Sequence, residues 1–559
     1  LRTTSLAFRS IVLNLLFICI LASPTSQAVA AVGGETFPAG HWAYDIIEQL
    51  VVRGYLPKLY DVAKPYERMD VARAILETDK TLIEDRVTLW LFNKLEQELT
   101  DELDWLRDEA FPSGALRVGL RPELIGDKRE GNFPQFQFPE ERGNTFGPRL
   151  RNRFRFTLHF GENITVYNNS ILQSERVFAL VPSRRFAGAT GFTEQAFIAY
   201  HSKNVRAKFG RDYVQWGYAR NSLITNFTAG PIDHVGFQFV SSTLRFTYFL
   251  AQLDKYDTLT RSFRADGNTE RYFAATRVDL NLFASKVRLG IYQATLQAGV
   301  KRPPDLRHLN PFAFSYADQL DEVNPIIGAD FSIFAFDMNF YGSLTIDDWQ
   351  AEKKAQEDLE PNLWAGTLGI RAANIFKVWK IYGTDAFIEF TRVRNRTFHN
   401  RFIDQRMTVN NSGRGMVRAN PIAHPLGTDF LSMEFGISHW FKKFFRLSTS
   451  LLAVSKGEGN LYGPFTTPWL DRDANGNFIY NVRDGYNEPI PYVTGDRKVE
   501  NRYAWTVGFF YQPNNSFNTE LNFTQVWRQN ANNIAGRNTS DLQIFFRMLF
   551  EIQPVFNFL

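Results

Sequence analysis

The chain has 559 residues, 63 Lys and Arg against 59 Asp and Glu for a formal charge of +4, and a mean hydropathy of −0.27. These figures argue against intrinsic disorder, a multi-span helical membrane protein and a dedicated nucleic-acid binder, which would concentrate a basic excess. A single cysteine, Cys19, excludes a disulfide framework, and 52 Phe, 21 Tyr and 11 Trp make an aromatic excess that needs a cause.

The N-terminus reads as an address. Arg2 and Arg9 precede the apolar run Ile11–Ala22, and Ala28-Val29-Ala30 fits a small-residue cleavage site. At about 12 residues the run is too short to span a bilayer as a helix, so residues 1–30 are expected to be a secretory signal peptide. Ile18 before Cys19 is not the small residue that a lipoprotein signal requires. The chain is expected to be exported with no helix retaining it in a membrane.

Residues 31–110 read as a helical periplasmic domain. Trp42–Arg53 has apolar residues at helical spacing and stops at Gly54, and Glu67–Glu77 repeats the pattern. Glu84–Arg107 carries Leu89, Phe92, Leu95, Leu99, Leu103 and Leu106 three or four apart, which predicts one long amphipathic helix with a buried stripe. Phe37-Pro38-Ala39-Gly40-His41-Trp42-Ala43-Tyr44 followed by Lys64-Pro65-Tyr66-Glu67-Arg68 resembles one S-layer-homology repeat. That resemblance implies contact with cell-wall polymers such as peptidoglycan, although the family usually carries three copies.

From residue 111 to 559 the period changes to two. Phe154, Phe156, Leu158 and Phe160 alternate with Arg153, Arg155, Thr157 and His159, and Met433 and Phe435 alternate with Ser432 and Glu434. One face is apolar and the other polar or charged, strand after strand. A barrel with a lipid-facing exterior and a polar lumen gives this pattern, and its interfacial girdles account for the aromatics. The fold class predicted is an all-β transmembrane β-barrel of about 18 antiparallel strands with a small N-terminal α-helical domain. Its site is the outer membrane of a Gram-negative-type bacterium, with outer-membrane lipid around it.

Connections alternate in length. Gly161–Asn163, Ser202–Asn204, Ser241–Ser242, Lys442–Phe444 and Gln512–Asn515 are short; 125–148, 174–192, 214–233, 396–428 and 456–499 are long. Short turns belong to the periplasm and long loops to the outside. Alternating segments begin near 115, 149, 163, 193, 204, 234, 242, 270, 284, 329, 361, 379, 429, 445, 500, 516 and 540, one too few for parity. An added strand between 294 and 328, placed at His308–Tyr316, restores an even count. The helices of residues 35–109 are then on the correct side to restrict the lumen.

Several barrel segments form an ordered set: Gly210-Arg211-Asp212-Tyr213-Val214-Gln215-Trp216-Gly217 with Ser222-Leu223-Ile224 and Pro231-Ile232-Asp233-His234, then Ile346-Asp347-Asp348-Trp349-Gln350, Glu389-Phe390-Thr391-Arg392-Val393, and His424-Pro425-Leu426-Gly427-Thr428-Asp429. Together they resemble the Wzi family of capsule-assembly outer-membrane proteins. The stretch runs over residues 115–455, with Phe390 where the family pattern has Tyr. The resemblance implies a non-enzymatic protein that holds or helps assemble surface polysaccharide (capsule or exopolysaccharide) by lectin-like binding.

For glycan contact the sequence offers Trp216 in a connection that parity places outside, and Trp469, Tyr480, Tyr486 and Tyr492 in loop 456–499. A sugar's C–H face packs on such rings, and the same rings turned inward would pack the loops. Asp471-Arg472-Asp473-Ala474-Asn475-Gly476 matches the first half of a calcium loop, so Asp471, Asp473 and Asn475 are candidate calcium ligands. Val482 stands where the bidentate Glu belongs, and Asn475-Gly476 equally makes a hairpin turn by itself. Asp347 and Asp348 are adjacent and point to opposite faces of an extended chain, unlike a glycosidase pair. The competing reading is a porin for small solutes, to which Arg153, Arg155, Arg277 and Arg547 on the polar face would lend anion tolerance. A filled lumen separates the two.

Overall fold

The computed structural model describes residues 33–108, 112–129, 147–173, 185–186, 189–256, 269–313, 323–349, 360–413, 416–441, 444–478, 488 and 490–558. The expected signal peptide, Tyr480 and Tyr486 lie outside the described residues.

Period-two alternation produces a closed antiparallel barrel of 18 strands. In chain order they are β1 (Gly114–Arg129), β2 (Gly147–Phe160), β3 (Ile164–Gln173), β4 (Ala189–His201), β5 (Val205–Asp212), β6 (Ile232–Val240), β7 (Leu244–Tyr256), β8 (Thr269–Leu282) and β9 (Val287–Val300). The second half comprises β10 (Val323–Ala335), β11 (Met338–Asp348), β12 (Leu363–Ala372), β13 (Thr384–Val393), β14 (Phe430–Phe441), β15 (Phe445–Lys456), β16 (Glu500–Asn514), β17 (Phe517–Gln529) and β18 (Thr539–Phe550). The barrel closes where β1 pairs with β18, Glu123 opposite Leu549, and with the continuation Val555–Phe558, Gly114 opposite Phe558. Closure leaves no sheet edge with unpaired amides in lipid.

Side chains sort as the parity predicts. Phe154, Phe156, Leu368, Met433, Phe435 and Leu451 are exposed on the outer face, and Arg155, Arg271, Arg277 and Glu123 are buried on the inner one. The four arginines that would lend a pore anion tolerance are spent on ion pairs. Arg153 meets Glu194 at 3.0 Å and also Glu123, Arg155 meets Glu551 at 3.3 Å, Arg277 meets Asp330 at 2.7 Å, and Arg547 meets Glu520 at 2.8 Å.

The strand count matches the expectation, but the added strand lies elsewhere. Residues 306–309 form a helical turn, Leu306–Leu309, and residues 314–322 lie outside the described ones. The missing strand is β11. It follows β10 through a two-residue turn in which Phe336 and Asp337 both have φ of 57°. Such turns ordinarily advertise themselves with Asn or Gly. An aromatic in the left-handed region gives no sequence signal, so β10 and β11 read as one segment.

Helices α1 (Ala43–Val52), α2 (Arg68–Leu76), α3 (Arg86–Glu98) and α4 (Thr100–Asp108) share one core with Ile47, Leu50, Leu91, Phe92 and Leu95 at its centre. The single helix expected over Glu84–Arg107 is broken at Leu99, with φ −109° and ψ 23°. Arg68 explains the break. Its guanidinium takes the Glu98 carbonyl at 2.6 Å and the Glu102 carboxylate at 2.6 Å, which ends α3 and turns α4 toward the wall. Phe37, His41, Trp42 and Tyr44, which carry the S-layer-type likeness, are all buried here.

The helices sit at the short-turn mouth. Trp90 packs edge-on against Trp440 at the end of β14, at 5.1 Å. Arg53 holds Asp385 at 2.7 Å, Arg206 holds Asp70 at 2.6 Å, and Arg117 bridges Glu35 at 2.7 Å and Glu102 at 2.8 Å. Burial alone would raise the Glu35 carboxyl, but Arg117, His159 and Arg68 hold it well below its ordinary value. The link between α1 and α2 then climbs the lumen. Its Ala63 and Lys64 pair with Trp216 and Gln215, from the long connection that enters by the opposite mouth.

Candidate functional site at the long-loop mouth

The described residues of three long connections, 213–231, 394–429 and 457–499, fold inward and join the wall. Trp216, Leu223 and Ile224 of the first, Phe398, Met407 and Ile422 of the second, and Leu461 of the third join wall residues such as Phe249, Phe273 and Leu296 in one apolar cluster.

Each connection is pinned by a carboxylate of the wall or its rim. Asp347 on β11 accepts the Phe398 N–H at 2.6 Å, and Glu389 on β13 accepts the Arg220 N–H at 2.9 Å and the Tyr341 hydroxyl at 2.8 Å. Asp429, one residue before β14, accepts the N–H groups of Gly459 and Tyr492, both at 2.8 Å. Burial pushes the Asp429 carboxyl up to about 6 against the pull of Lys456 and these two donors. Asp429 sits at φ 60°, and a Cβ on Gly457 or Gly459 would collide with its carboxylate. These three acids lie in the three segments Ile346–Gln350, Glu389–Val393 and His424–Asp429. The segments therefore fix where the outer loops go.

Two arginines complete the frame. Arg271, wholly buried, donates to the carbonyls of Asp404, Arg406 and Thr408 at 2.7, 3.0 and 2.7 Å. Arg396 grips Glu488 at 2.7 and 2.9 Å and the Thr466 carbonyl at 2.7 Å, and it lies 5.0 Å over the Trp469 ring and 5.6 Å over Tyr492. Sequence reasoning missed both arginines and the pinning role of the acids, because each acts on a segment distant in the chain.

The structure brings Trp469 and Tyr492 together around Arg396 but covers them; Trp469 is 2% exposed. Trp216 is 3% exposed and packs edge-on against Phe249 at 5.1 Å, deep in the lumen rather than on the surface. Tyr462 and Leu470, in the same loop as Trp469, are exposed. Asp471, Asp473 and Asn475 are exposed, and the Asp473 carboxylate already accepts the N–H groups of Asn475 at 2.9 Å and Asn477 at 2.8 Å. Both donors go to Oδ1, and Oδ2 has the Asn477 amide at 3.4 Å. Among the described residues no cluster of three or more His, Cys, Asp or Glu is arranged to hold a metal.

The family model for the capsule assembly protein Wzi matches residues 135–541. Among solved structures, the chain resembles Wzi of Escherichia coli, described as a carbohydrate-binding β-barrel involved in group 1 capsule assembly. The TM-score is 0.57 at 13% identity, over 93% of this chain and 99% of that one. OpdK and OprD of Pseudomonas aeruginosa give TM-scores of 0.44 and 0.40, each at 10% identity, over 79% and 80% of this chain and 99% and 95% of theirs. Those two scores are too low to carry an argument. No curated protein sequence matches the chain. With the family pattern covering most of the barrel, and with the acids of its segments seen to pin the loops, this chain belongs to the Wzi family of capsule assembly proteins.

Proposed function

We propose that this outer-membrane barrel works at the cell surface as a non-enzymatic binder of capsular or exopolysaccharide. The observation that carries the reading is the pinning of three inward-folded loops by Asp347, Glu389 and Asp429, over a lumen filled from both ends. A face held this firmly loses little freedom when a polymer settles on it, and weak sugar contacts then suffice. The description of the Escherichia coli relative as carbohydrate-binding supports the ligand class. In this reading Trp216, Trp469 and Tyr492 form the packed frame. Sugar contact falls to the exposed Tyr462 and Leu470, and to Tyr480 and Tyr486 of the same loop. The ion-paired lumenal arginines and the joined plugs speak against a small-solute pore.

The test compares a deletion strain with its complemented parent for retained surface glycan, and records single-channel conductance of the purified barrel. Loss of surface glycan with background conductance is expected. Normal surface glycan with a large steady conductance would favour the porin.

A further inference from the structure

The helices do not fill the inner half of the lumen evenly. Between α1 and the wall formed by β12 to β16 remains a cavity of about 300 Å³. That is at the lower end of the volumes that hold small molecules, roughly 300 Å³ upward. Asp45 and Arg446, paired at 2.6 Å, stand at its entrance beside the short-turn rim, where the Asp45 side chain is 56% exposed. Its upper end reaches Thr506, midway along β16, and Arg220 from the long connection 213–231 forms part of its lining.

Two properties of the lining restrict what it suits. Its charges cancel, because Arg220, Arg371 and Arg446 face Asp45, Glu48 and Asp385. An anion or cation would gain from one set and be repelled by the other. Its wall is also hydroxylic. By the two-residue period, Ser438 on β14, Ser448 and Ser450 on β15 and Thr506 on β16 all point inward. Ser448 donates to the Gly508 carbonyl at 3.4 Å and Thr506 shares a hydrogen bond with Thr524 at 2.9 Å, which leaves both hydroxyls lone pairs to accept with, while Ser438 and Ser450 can donate and accept. Arg220 adds a fixed donor plane. Its guanidinium lies 4.2 Å over the Phe387 ring, Glu434 stands at 3.5 Å, and its own N–H is held by Glu389. Its side chain is nonetheless 46% exposed. A planar guanidinium braced on an aromatic ring presents paired N–H groups, the spacing that adjacent hydroxyls accept.

We propose that this cavity is a binding site, open toward the periplasm, for one neutral sugar residue. The proposal rests on the glycan reading for its ligand class and adds a second place, on the opposite side of the filled lumen, where the chain meets that ligand. A saccharide seated there is approached from inside the cell envelope, so the same barrel would touch polymer before and after it reaches the surface.

The test uses the full mature chain in detergent micelles, with D-glucose, D-galactose and D-mannose as probes in saturation-transfer NMR. At least one hexose should receive saturation from the wild type. Ser450→Trp and Thr506→Met fill the cavity from two different strands, and either one that retains the heat-modifiable mobility of a folded barrel should abolish the transfer. Arg220→Ala should weaken it about tenfold, the loss expected for hydrogen bonds to a charged donor. D-Glucuronate should bind no better than D-glucose. Absence of transfer from all three hexoses overturns the site, and so does transfer that survives in the folded cavity-filled variants. Surface glycan on cells carrying the same variants is scored in parallel. Normal retention with no hexose signal overturns the inner site alone and leaves the outer-face reading standing.

Discussion

Asp429→Ala is the sharpest perturbation of the outer face. The carboxylate accepts two backbone N–H groups from loop 457–499, each at 2.8 Å, in a site where Asp429 is wholly buried. Hydrogen bonds to a charged group contribute about 1.5–3 kcal/mol each, so removing both costs roughly 3–6 kcal/mol. Alanine at φ 60° also keeps the left-handed backbone without the side-chain hydrogen bonds that let Asp adopt it. The barrel ladder is untouched, so this cost falls on local opening of the loop rather than on global unfolding. At about 1.4 kcal/mol per decade, the open fraction of residues 457–499 should rise by at least about a hundredfold. Hydrogen exchange of the inserted protein reads that fraction directly, and limited proteolysis of whole cells reads it from outside. Asp429→Gly removes the acceptors without backbone strain and should give most of the effect. Unchanged exchange over 457–499 in a correctly inserted variant would refute the pinning argument. So would a barrel that unfolds at a lower temperature in step with the loop.

Deleting residues 33–108 should expose a conducting lumen, because the short-turn mouth is closed by α1 to α4; planar-bilayer records with unchanged conductance would show that the upper loops alone seal the barrel. His424 is buried, its Nδ1 accepts the Leu426 N–H at 3.2 Å, and burial pushes its pKa down to about 3. The folded pKa is depressed below the ordinary value near 6.5, so its contribution to loop stability is present at neutral pH and lost as pH falls from about 6.5 toward 3. Protection factors in segment 420–429, taken against the intrinsic exchange rate at each pH, should therefore fall on acidification, and His424→Gln should flatten that dependence. Trp216→Ala removes a ring packed on Phe249 and should cost about 3–5 kcal/mol of lumenal packing, disordering connection 213–231. Trp216→Phe should preserve both the packing and surface glycan; loss of glycan in a well-packed Trp216→Phe protein would instead mark the indole as a contact.

The barrel was legible because alternation is a local property. Met433 and Phe435 against Ser432 and Glu434 disclose their two faces without knowledge of any partner strand. β11 was not legible, since Phe336 and Asp337 turn the chain without a turn residue. The break at Leu99 was hidden for another reason. Its cause is Arg68, thirty-one positions earlier, whose reach to the Glu98 carbonyl no window of sequence contains. The same holds for the candidate site. Aromatic residues were visible as a type, but whether Trp469 and Trp216 face water depends on Arg396 and Phe249, and these come together only through the fold. The acids at 347, 389 and 429 were visible as members of a pattern, and their work became clear only with the loops they hold.

The plug is also tied across the closing seam of the barrel. Arg117 on β1 holds Glu35 and Glu102, while Glu551, just past β18, stands 3.5 Å from His41 and 3.3 Å from Arg155 on β2. The helices are made before the first strand, and Glu551 only after the eighteenth. The charge that completes their docking therefore arrives with the strand that shuts the cylinder. A barrel shut around empty space would hold these groups in water and then have to admit four packed helices through one mouth. Closing around helices already in place lets seam and plug finish as one event, with the N-terminal segment serving as the mould on which the wall is wrapped. Pulse-labelled chains should then gain heat-resistant mobility and protease protection of residues 33–108 at the same time, and a closed barrel with its plug still cleavable would show the opposite order.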